Sequence, residues 1–440
     1  MRIDNFEATG LERVETWLAR NAEMELDEQT LGGILKTINL SFVLEGIDRV
    51  QSTLLCELND SYVQQSQRYV AMSKEAYLLP DFGPDARTAE ELTQRAFDLY
   101  ARMSQLKEGE CKGRPKPEHY RYGIPIEDAR YILPLSTKTN LCVAMSGDKL
   151  LDLFRLLKDE RYAALFEAVA EAISSHLPSR LGQCLAKVKA AKPKIAAIAD
   201  FHADYFSRIT HEENLLLLEH FKDLDHRVAI GALTSTAKQT PSQTLQIWAE
   251  TAAEKEQSLV KRVLGYGHDS IAEQARSTFG MMCSMVTYHQ QLRHRLSRNQ
   301  REELEAVLLD ETRAIKLPET IKDSLFCDEF QTLAAAVKAF RVKVAEKHGV
   351  EKALAFLLNC DQIKLILSLN ARADTSMLAD RTCMNAQWEI RDLAIKKLRI
   401  LRSLSPVLYE KALPSCVLGV CREGKLSCGK QMQVREQFSS

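Results

Sequence analysis

The sequence predicts an α/β (α+β) protein of two tandem modules, in each of which a small sheet packs with many helices. Three observations lead to this prediction. The chain has 440 residues, more than a single domain normally holds. Apolar residues recur mostly at helical spacing, whereas strand candidates are few and short. Two stretches, residues 42–69 and 279–295, look like copies of one ancestral module.

The clearest helix signals lie in the second half of the chain. Thr240 and Pro241 form a favourable N-cap and first turn, and the apolar stripe that follows ends at Gly265. A second helical stripe begins at Ile390 and stops before Ser405, which precedes a proline.

Strands are expected at residues 40–44, 278–284 and, more weakly, 77–79, each just before a helix or loop. The first module is placed at residues 1–177 and the second at residues 225–440. Residues 178–224, where alanine and lysine alternate around Pro193, are interpreted as a mostly helical connector.

The composition excludes several classes of protein. With 45% hydrophobic residues, 27% charged residues and a net charge of −1, the chain has no global field for binding nucleic acid. No apolar run reaches the roughly 18–20 residues of a membrane helix, and the N-terminus does not resemble a signal peptide. Eleven scattered cysteines favour reduced thiols and a cytoplasmic location.

Residues 64–69 form a short polar loop suited to a phosphate monoester. Successive backbone N–H groups can surround an anion, a serine hydroxyl donates one more hydrogen bond, and an arginine adds a fixed charge. The loop consists of Gln64, Gln65, Ser66, Gln67, Arg68 and Tyr69.

The second stretch carries a basic triplet instead of this loop. The triplet is Arg293, His294 and Arg295, and it follows Gly267-His268-Asp269-Ser270 at a distance of 25 residues. Forked guanidinium groups bind phosphate and pyrophosphate groups bidentately.

Both stretches resemble the central motif of the flavin-dependent thymidylate synthases, in which an Arg-His-Arg triplet is followed by a Gln-Gln-Ser-x-Arg-Tyr loop. The first stretch keeps the loop but has Cys56, Glu57 and Leu58 in place of the triplet. The second keeps the triplet and lacks the loop. The resemblance therefore implies a fused pair of subunits with complementary half-sites, and a homodimer of such chains in place of the family's tetramer.

A second pair of motifs repeats this complementarity. Residues 129–135 resemble the family's Ala-Arg-x-x-Leu-Pro segment, whose arginine, here Arg130, binds the nucleotide. The second module has no arginine there but keeps Asn370, Arg381 and the run at residues 385–390. The first module lacks these residues.

The resemblance implies a role for each matched residue. The nucleotide would be bound by Gln64, Gln65, Ser66, Gln67, Arg68, Arg130, Gln290, Arg293 and Arg381. FAD would be bound by Ser270, Arg293, His294, Arg295, Asn370, Ser376 and Asn385. Three positions depart from the family's usual residues, namely Gln274, Ser376 and Asn385, and they bear on flavin affinity and folate stacking.

The implied reaction is the reductive methylation of dUMP to dTMP. Methylenetetrahydrofolate would donate the carbon, and NADPH-reduced FAD would supply the hydride. No protein nucleophile and no metal are expected, so Cys56 is interpreted as a core residue. Two alternatives stay open: a methylase of UMP or a cytosine nucleotide, and a non-catalytic nucleotide- or flavin-binding relative.

The C-terminal tail places Cys416, Cys421 and Cys428 in a short glycine-rich stretch. With a fourth ligand these thiols would suit zinc, although the spacing is not that of a standard zinc knuckle. Reduced structural or redox-labile thiols are the favoured interpretation.

Overall fold

The computed structural model describes residues 1–109, 115–190 and 192–438. In this part of the chain the structure consists of two four-stranded sheets surrounded by helices, as the sequence predicted. The strands are β1 (Arg2–Thr9), β2 (Asn39–Asp48), β3 (Ser61–Gln64), β4 (Lys138–Ser146), β5 (Leu215–His220), β6 (Arg276–Ser284), β7 (Arg298–Arg301) and β8 (Gln362–Asn370).

Helices fill most of the intervals between strands. In the first half of the chain they are α1 (Leu11–Arg20), α2 (Glu28–Leu35), α3 (Arg49–Glu57), α4 (Ala86–Met103), α5 (Ile126–Ala129), α6 (Lys149–Leu157), α7 (Ala163–Ser175), α8 (Ser179–Ala186) and α9 (Ile195–Arg208). In the second half they are α10 (Leu224–Thr236), α11 (Pro241–Trp248), α12 (Ala252–Gly265), α13 (Met285–Gln291), α14 (Leu304–Leu309), α15 (Glu319–Lys322), α16 (Cys327–His348), α17 (Val350–Ala353), α18 (Ala371–Arg381), α19 (Trp388–Leu404), α20 (Ser415–Leu418) and α21 (Gln431–Phe438).

The two sheets repeat one topology. The first has the strand order β1-β2-β4-β3, and the second has the order β5-β6-β8-β7. Each strand of the first sheet thus has a counterpart in the second at the same place in the order. Strands β2, β6 and β8 run directly into helices α3, α13 and α18, whereas two residues, Gly147 and Asp148, separate β4 from α6. This repetition agrees with the tandem copies inferred from the sequence.

Strand β2 shows why the first sheet forms. Its residues alternate between buried and less buried positions, which is the period-2 pattern of a sheet with one face in the core. Its antiparallel register with β4 sets apolar residues opposite apolar residues on the buried face. The facing pairs are Leu40 with Met145, Phe42 with Val143, and Leu44 with Leu141.

The predicted strands at residues 40–44 and 278–284 are confirmed as parts of β2 and β6. At residues 77–79 only a single bridge from Tyr77 to Thr137 forms. The helix predicted to start at Thr240 has its capping box but breaks at Ala249, whose φ of 43° is left-handed, and resumes as α12. The C-terminal stripe forms α19, which ends before Ser405 as expected.

By contacts the described chain divides into two compact units. The first comprises Met1–Ala197, Ser284–Arg293 and Glu303–Gln362, and the second comprises Ile198–Cys283, His294–Glu302 and Ile363–Ser440. The expected connector contains α8, α9 and also β5, a strand that its alanine- and lysine-rich start did not indicate. The module boundaries drawn from the sequence stay a prediction.

No helix in the described ranges is both long enough and apolar enough to cross a membrane.

Candidate functional site

The loop at residues 64–69 lies at the edge of the first sheet. Strand β3 pairs with β4 up to Gln64, and the backbone N–H of Gln65 then donates to the carbonyl of Asn140 at 2.9 Å. The Ser66 carbonyl accepts from the backbone N–H of Val70 at 3.0 Å, which closes the loop. Both ends of the predicted phosphate loop are therefore fixed by backbone hydrogen bonds.

Within the loop, Ser66 and Arg68 are oriented by further contacts. The Ser66 hydroxyl oxygen accepts from the backbone N–H of Arg68 at 3.2 Å, which leaves its own proton available for another acceptor. The Arg68 Nε donates to a carboxylate oxygen of Glu127 at 2.8 Å, and its side chain is only 14% exposed. Arg68 is thus held in place, as a preformed anion site requires.

Arg130 belongs to the same unit and is almost completely buried. Its Nε donates to the Glu127 carbonyl at 3.1 Å, while its Nη2 has no hydrogen-bond partner among the described residues. Burial, with the nearby charge of Arg68 adding to it, lowers the pKa of Arg130 to about 10. A buried guanidinium nitrogen with an unused donor fits an anionic ligand.

Gln67 and Asn359 link the loop to the Arg130 backbone. The Asn359 amide nitrogen donates to the Gln67 side-chain oxygen at 3.3 Å and to the Arg130 carbonyl at 2.9 Å. Both side chains are buried, and the Gln67 Nε2 has no partner within residues 1–109, 115–190 and 192–438. The sequence did not indicate Asn359, which follows a buried apolar run and carries no motif.

Arg49 and His289 form a buried pair that the sequence also missed. The Arg49 Nη2 lies 2.5 Å from the His289 Nδ1, and the His289 Nε2 lies 2.5 Å from the Thr53 hydroxyl oxygen. The Thr53 hydroxyl in turn donates to the Arg49 carbonyl at 2.6 Å. Because arginine can only donate, the Nδ1 must accept, and the ring proton sits on Nε2 and points to Thr53.

The titration of these groups follows from their burial. Burial first, and then the charges of Arg49, Arg130 and Arg293, hold the pKa of His289 well below its ordinary value, so its imidazole is neutral. Burial, followed by the charge of Arg130, lowers the pKa of Arg49 to about 9. Several guanidinium groups therefore act on one interior region of the first unit, which makes that region attractive to an anion.

The remaining predicted residues of this unit lie on or beside α13. Gln290 is buried, and its Nε2 donates weakly to the Val286 carbonyl at 3.4 Å. Arg293 is exposed just past the end of the helix, where its N–H donates to the Gln290 carbonyl at 3.3 Å. Gln290 directly follows His289 on α13, so Gln290 and Arg293 lie near the Arg49–His289 pair. Residue 49 is far away in the sequence, and the fold brings it to this helix.

In the second unit the structure brings together two predicted residues. The Nε of Arg381 donates to the Nε2 of His294 at 2.7 Å. His294 therefore presents an unprotonated Nε2 to Arg381, and the geometry fixes the ring orientation. Arg295, the next residue, is exposed.

The other predicted cofactor residues of this unit are spread over several elements. Asn370 caps α18, since its side-chain oxygen accepts from the backbone N–H of Ala373 at 2.8 Å. Ser376 is exposed on the same helix, and Ser270 is exposed in a 3-10 helix at Asp269–Gln274. Asn385 donates to the Leu426 carbonyl at 2.7 Å and to Glu423 at 3.1 Å.

A buried ion pair links α18 to α19. Lys397 of α19 donates to the carboxylate of Asp374, and both side chains are almost fully buried. The Lys397 Nζ also lies 4.8 Å from the centre of the Phe279 ring. The pair ties the helix that carries Arg381 to α19.

Comparison with known proteins places these features in one family. The sequence profile described as "Thymidylate synthase complementing protein" matches the chain twice, at residues 17–179 and 216–407. The chain belongs to this family. The first match includes β2 and β4 with the helices that follow them, and the second includes β6 and β8 with theirs, so both halves of the chain carry the family's module.

Individual relatives each span about half of the chain. A protein of Geobacter sulfurreducens named "Flavin-dependent thymidylate synthase" is 29% identical over 231 residues, covering 51% of this chain and 97% of its own length. A protein of Clostridium tetani with the same name is 31% identical over 209 residues, covering 43% and 83%. The crystal structure of the flavin dependent thymidylate synthase ThyX of Helicobacter pylori, complexed with FAD and dUMP, matches at 18% identity and a TM-score of 0.37, covering 46% of this chain and 99% of that one.

The neutral state of His289 gives a prediction for stability against pH. Its folded-state pKa lies below its unfolded value of 6.5, so the unfolded chain binds an extra proton as the pH falls and the native state loses stability. We expect the unfolding free energy of the wild type to fall relative to that of His289→Gln below about pH 6.5, by at most about 1.4 kcal/mol per pH unit.

Urea unfolding followed between about pH 7.5 and pH 5 measures this difference. Titrating groups common to both proteins, such as Asp48, whose pKa burial raises to about 7, cancel in the comparison. A difference that stays constant across the range would show that His289 is not held neutral.

Proposed function

We propose that this chain is a flavin-dependent thymidylate synthase that reductively methylates dUMP to dTMP. Methylenetetrahydrofolate donates the carbon, and NADPH-reduced FAD supplies the hydride. The observation that carries the proposal is the double match to the family, together with the buried cations around the loop at residues 64–69. A cytoplasmic location, expected from the scattered cysteines, stays a prediction.

The nucleotide phosphate is proposed to bind at the loop of the first unit. Arg68 supplies a held charge, Ser66 an available hydroxyl proton, and Arg130 and Gln67 supply the donors that lack partners among the described residues. Gln64, Gln65, Gln290 and Arg293 complete the proposed set, and Arg381 is proposed as a nucleotide ligand by its match to the family motif.

The residues proposed for FAD fit a group with an anionic pyrophosphate. Arg293 and Arg295 are exposed guanidinium groups, and Ser270 and Ser376 present exposed hydroxyls. His294 is oriented by Arg381, whereas Asn370 and Asn385 are held by a helix cap and by the tail. When bound, FAD would carry the hydride between NADPH and the pyrimidine.

The chain's own contribution is then orientation and electrostatics. No protein nucleophile is needed, and Cys56, on the half-buried end of α3, is given no catalytic role. The fixed guanidinium groups hold the nucleotide phosphate, and a low-dielectric interior strengthens their interaction with the charge. The protein thereby positions the pyrimidine for a reaction whose groups are supplied by its cofactors.

A flavin-dependent methylase of UMP or a cytosine nucleotide is the second candidate. It is favoured by Gln274, Ser376 and Asn385, the three positions that depart from the family's usual residues. The Asn385 amide N–H groups donate to Glu423 and to the Leu426 carbonyl of the C-terminal tail. Turnover of the purified protein with dUMP, UMP and dCMP, read beside its visible flavin spectrum, tests both. A colourless protein that binds no added FAD would instead support a non-catalytic relative.

For the phosphate loop we expect Arg68→Ala to weaken dUMP binding by roughly ten- to hundredfold, because one charged hydrogen bond is worth about 1.5–3 kcal/mol. Calorimetric titration with dUMP measures the loss, and Arg381→Ala tests the proposed second ligand in the same way. Arg87→Ala is the matched control, since Arg87 pairs with Glu91 on an exposed helix surface. Unchanged dUMP affinity in Arg68→Ala would remove the loop from the site, whereas flavin content should be the same in Arg68→Ala and in the Arg87→Ala control.

For the cofactor we expect Arg295→Ala to lose bound FAD and its yellow colour, because an exposed cation that faces the pyrophosphate is removed. The absorbance ratio of flavin to protein in the purified variant measures the loss. Arg399→Ala, an exposed arginine of α19, serves as the control. Equal flavin content in Arg295→Ala and the wild type would contradict the assignment.

We further propose that two chains form a homodimer with two active sites, because each chain carries two copies of a module whose family assembles as tetramers. Light scattering should give twice the chain mass of 49.8 kDa. A monomer that turns over at the same rate per chain would exclude the dimer as the working form.

A further inference from the structure

Four cysteines of the second unit line one small cavity. Its volume is about 10 Å³, room for a single water-sized sphere. The four are Cys383, Cys416, Cys421 and Cys428, and all are free thiols in the structure. Cys383 follows α18, whereas the other three belong to the C-terminal tail, so the structure adds a fourth thiol to the three that the sequence placed together.

Cys416 and Cys421 lie in one short loop that is closed by hydrogen bonds to Ser415. The Ser415 carbonyl accepts from the backbone N–H of Gly419 at 2.9 Å, and the Ser415 hydroxyl oxygen accepts from the backbone N–H of Arg422 at 3.2 Å. Cys416 directly follows Ser415, and Cys421 directly precedes Arg422, the two residues whose hydrogen bond closes the loop. The charge of Cys421 also acts directly on Cys416 and helps burial to raise its pKa.

Cys383 and Cys428 flank a second contact. The Asn385 side chain donates to the Leu426 carbonyl at 2.7 Å. Cys383 precedes Asn385 by two residues and Cys428 follows Leu426 by two, so each cysteine lies two residues along the chain from this contact. Burial first, and then the charges of Glu423, Cys416 and Cys428, raise the pKa of Cys383.

Backbone donors point at two of these sulfurs. The N–H of Lys430 donates to the Cys428 sulfur at 3.5 Å, and the N–H of Asn385 donates to the Cys383 sulfur. Such donors stabilise a thiolate, which is both the attacking and the leaving form in thiol–disulfide exchange. At Cys383 this donor offsets part of the rise in pKa that burial causes.

We propose that these thiols are a disulfide-forming site with the pairing Cys383–Cys428 and Cys416–Cys421. The co-reactant is a low-molecular-weight disulfide. In each pair one thiolate attacks that disulfide, forms a mixed disulfide and releases one thiolate of the small molecule. The second cysteine, after losing its proton, attacks the protein sulfur of the mixed disulfide and releases the other. Two protein thiols are oxidised, and one small disulfide is reduced to two thiols.

The structure favours this pairing over a metal site. In the described ranges no group of three or more histidine, cysteine, aspartate or glutamate side chains is arranged so that it could hold a metal ion. The Ser415–Arg422 contact instead has Cys416 and Cys421 beside it, and the Asn385–Leu426 contact has Cys383 and Cys428 near it. The Cys383–Cys428 bond would tie the tail covalently to the segment that carries Asn385. The inference stands on this geometry alone and does not depend on the proposed reaction.

The test uses the full chain, reduced and then incubated with oxidised glutathione. Remaining thiols are alkylated, and tryptic peptides are analysed without reduction. We expect residues 382–391 to be linked to residues 426–430, because cleavage after Arg381, Arg391, Lys425 and Lys430 releases these peptides. The peptide of residues 412–422 should be two hydrogens lighter and unalkylated.

Two variants sharpen the result. Cys428→Ser should abolish the linkage to residues 382–391 and leave the bond within residues 412–422. Cys142→Ser, which removes an exposed cysteine of β4, should change neither product. Full alkylation of all four thiols after oxidation, or linkage mainly to cysteines outside the cavity, would overturn the proposal. So would stoichiometric zinc in the purified chain that protects the four thiols from oxidised glutathione.

Discussion

Desolvated arginine is the constraint on which the first unit depends. Arg49 and Arg130 are nearly inaccessible to water, and transferring a guanidinium group from water costs several kcal/mol unless acceptors replace the solvent. The fold supplies backbone carbonyls, the Glu127 carboxylate beside Arg68 and a neutral imidazole. His289 must stay unprotonated because a second cation opposite Arg49 would add repulsion to desolvation. Helix α3 carries Arg49 and helix α13 carries His289. The first turns of α3 and the whole of α13 are buried on all sides, which keeps this pair away from water.

This constraint has a consequence for ligand binding. Acceptors within the protein satisfy only part of the guanidinium surface, and the Nη2 of Arg130 and the Nε of Arg49 have no partner among the described residues. Each missing hydrogen bond costs about 1–3 kcal/mol in the free protein, a cost that an anion with several oxygens would recover on binding. In the proposed function this costly charge would lie where the nucleotide phosphate gains most from it, and the loop that holds Arg68 would need no rearrangement to take part.

The sequence predicted what has a local or a motif-level cause. Strand β2 and helix α19 follow from period and capping, and the loop and triplet follow from a match of residue types at fixed spacing. It missed Arg49, His289 and Asn359, because their significance lies in contacts between residues far apart in the chain. Asn359 sits at the end of an apolar run that reads as plain core, and Cys383 is thirty-three residues before Cys416 in a different motif. Burial decides the roles of such residues, and a single sequence does not encode burial locally.

The two copies differ most at the junction after the fourth strand of each sheet. In the second copy Asn370 ends β8 and caps α18, which leaves Ala371 buried against the sheet. In the first copy Gly147 follows β4, and a Cβ there would lie 2.6 Å from the Leu35 carbonyl oxygen at the end of α2. The backbone of α2 therefore occupies the space that a side chain would need, and Asp148 makes no side-chain cap for α6. The first copy has thus used this junction for close packing of α2, whereas the second keeps a polar side chain there.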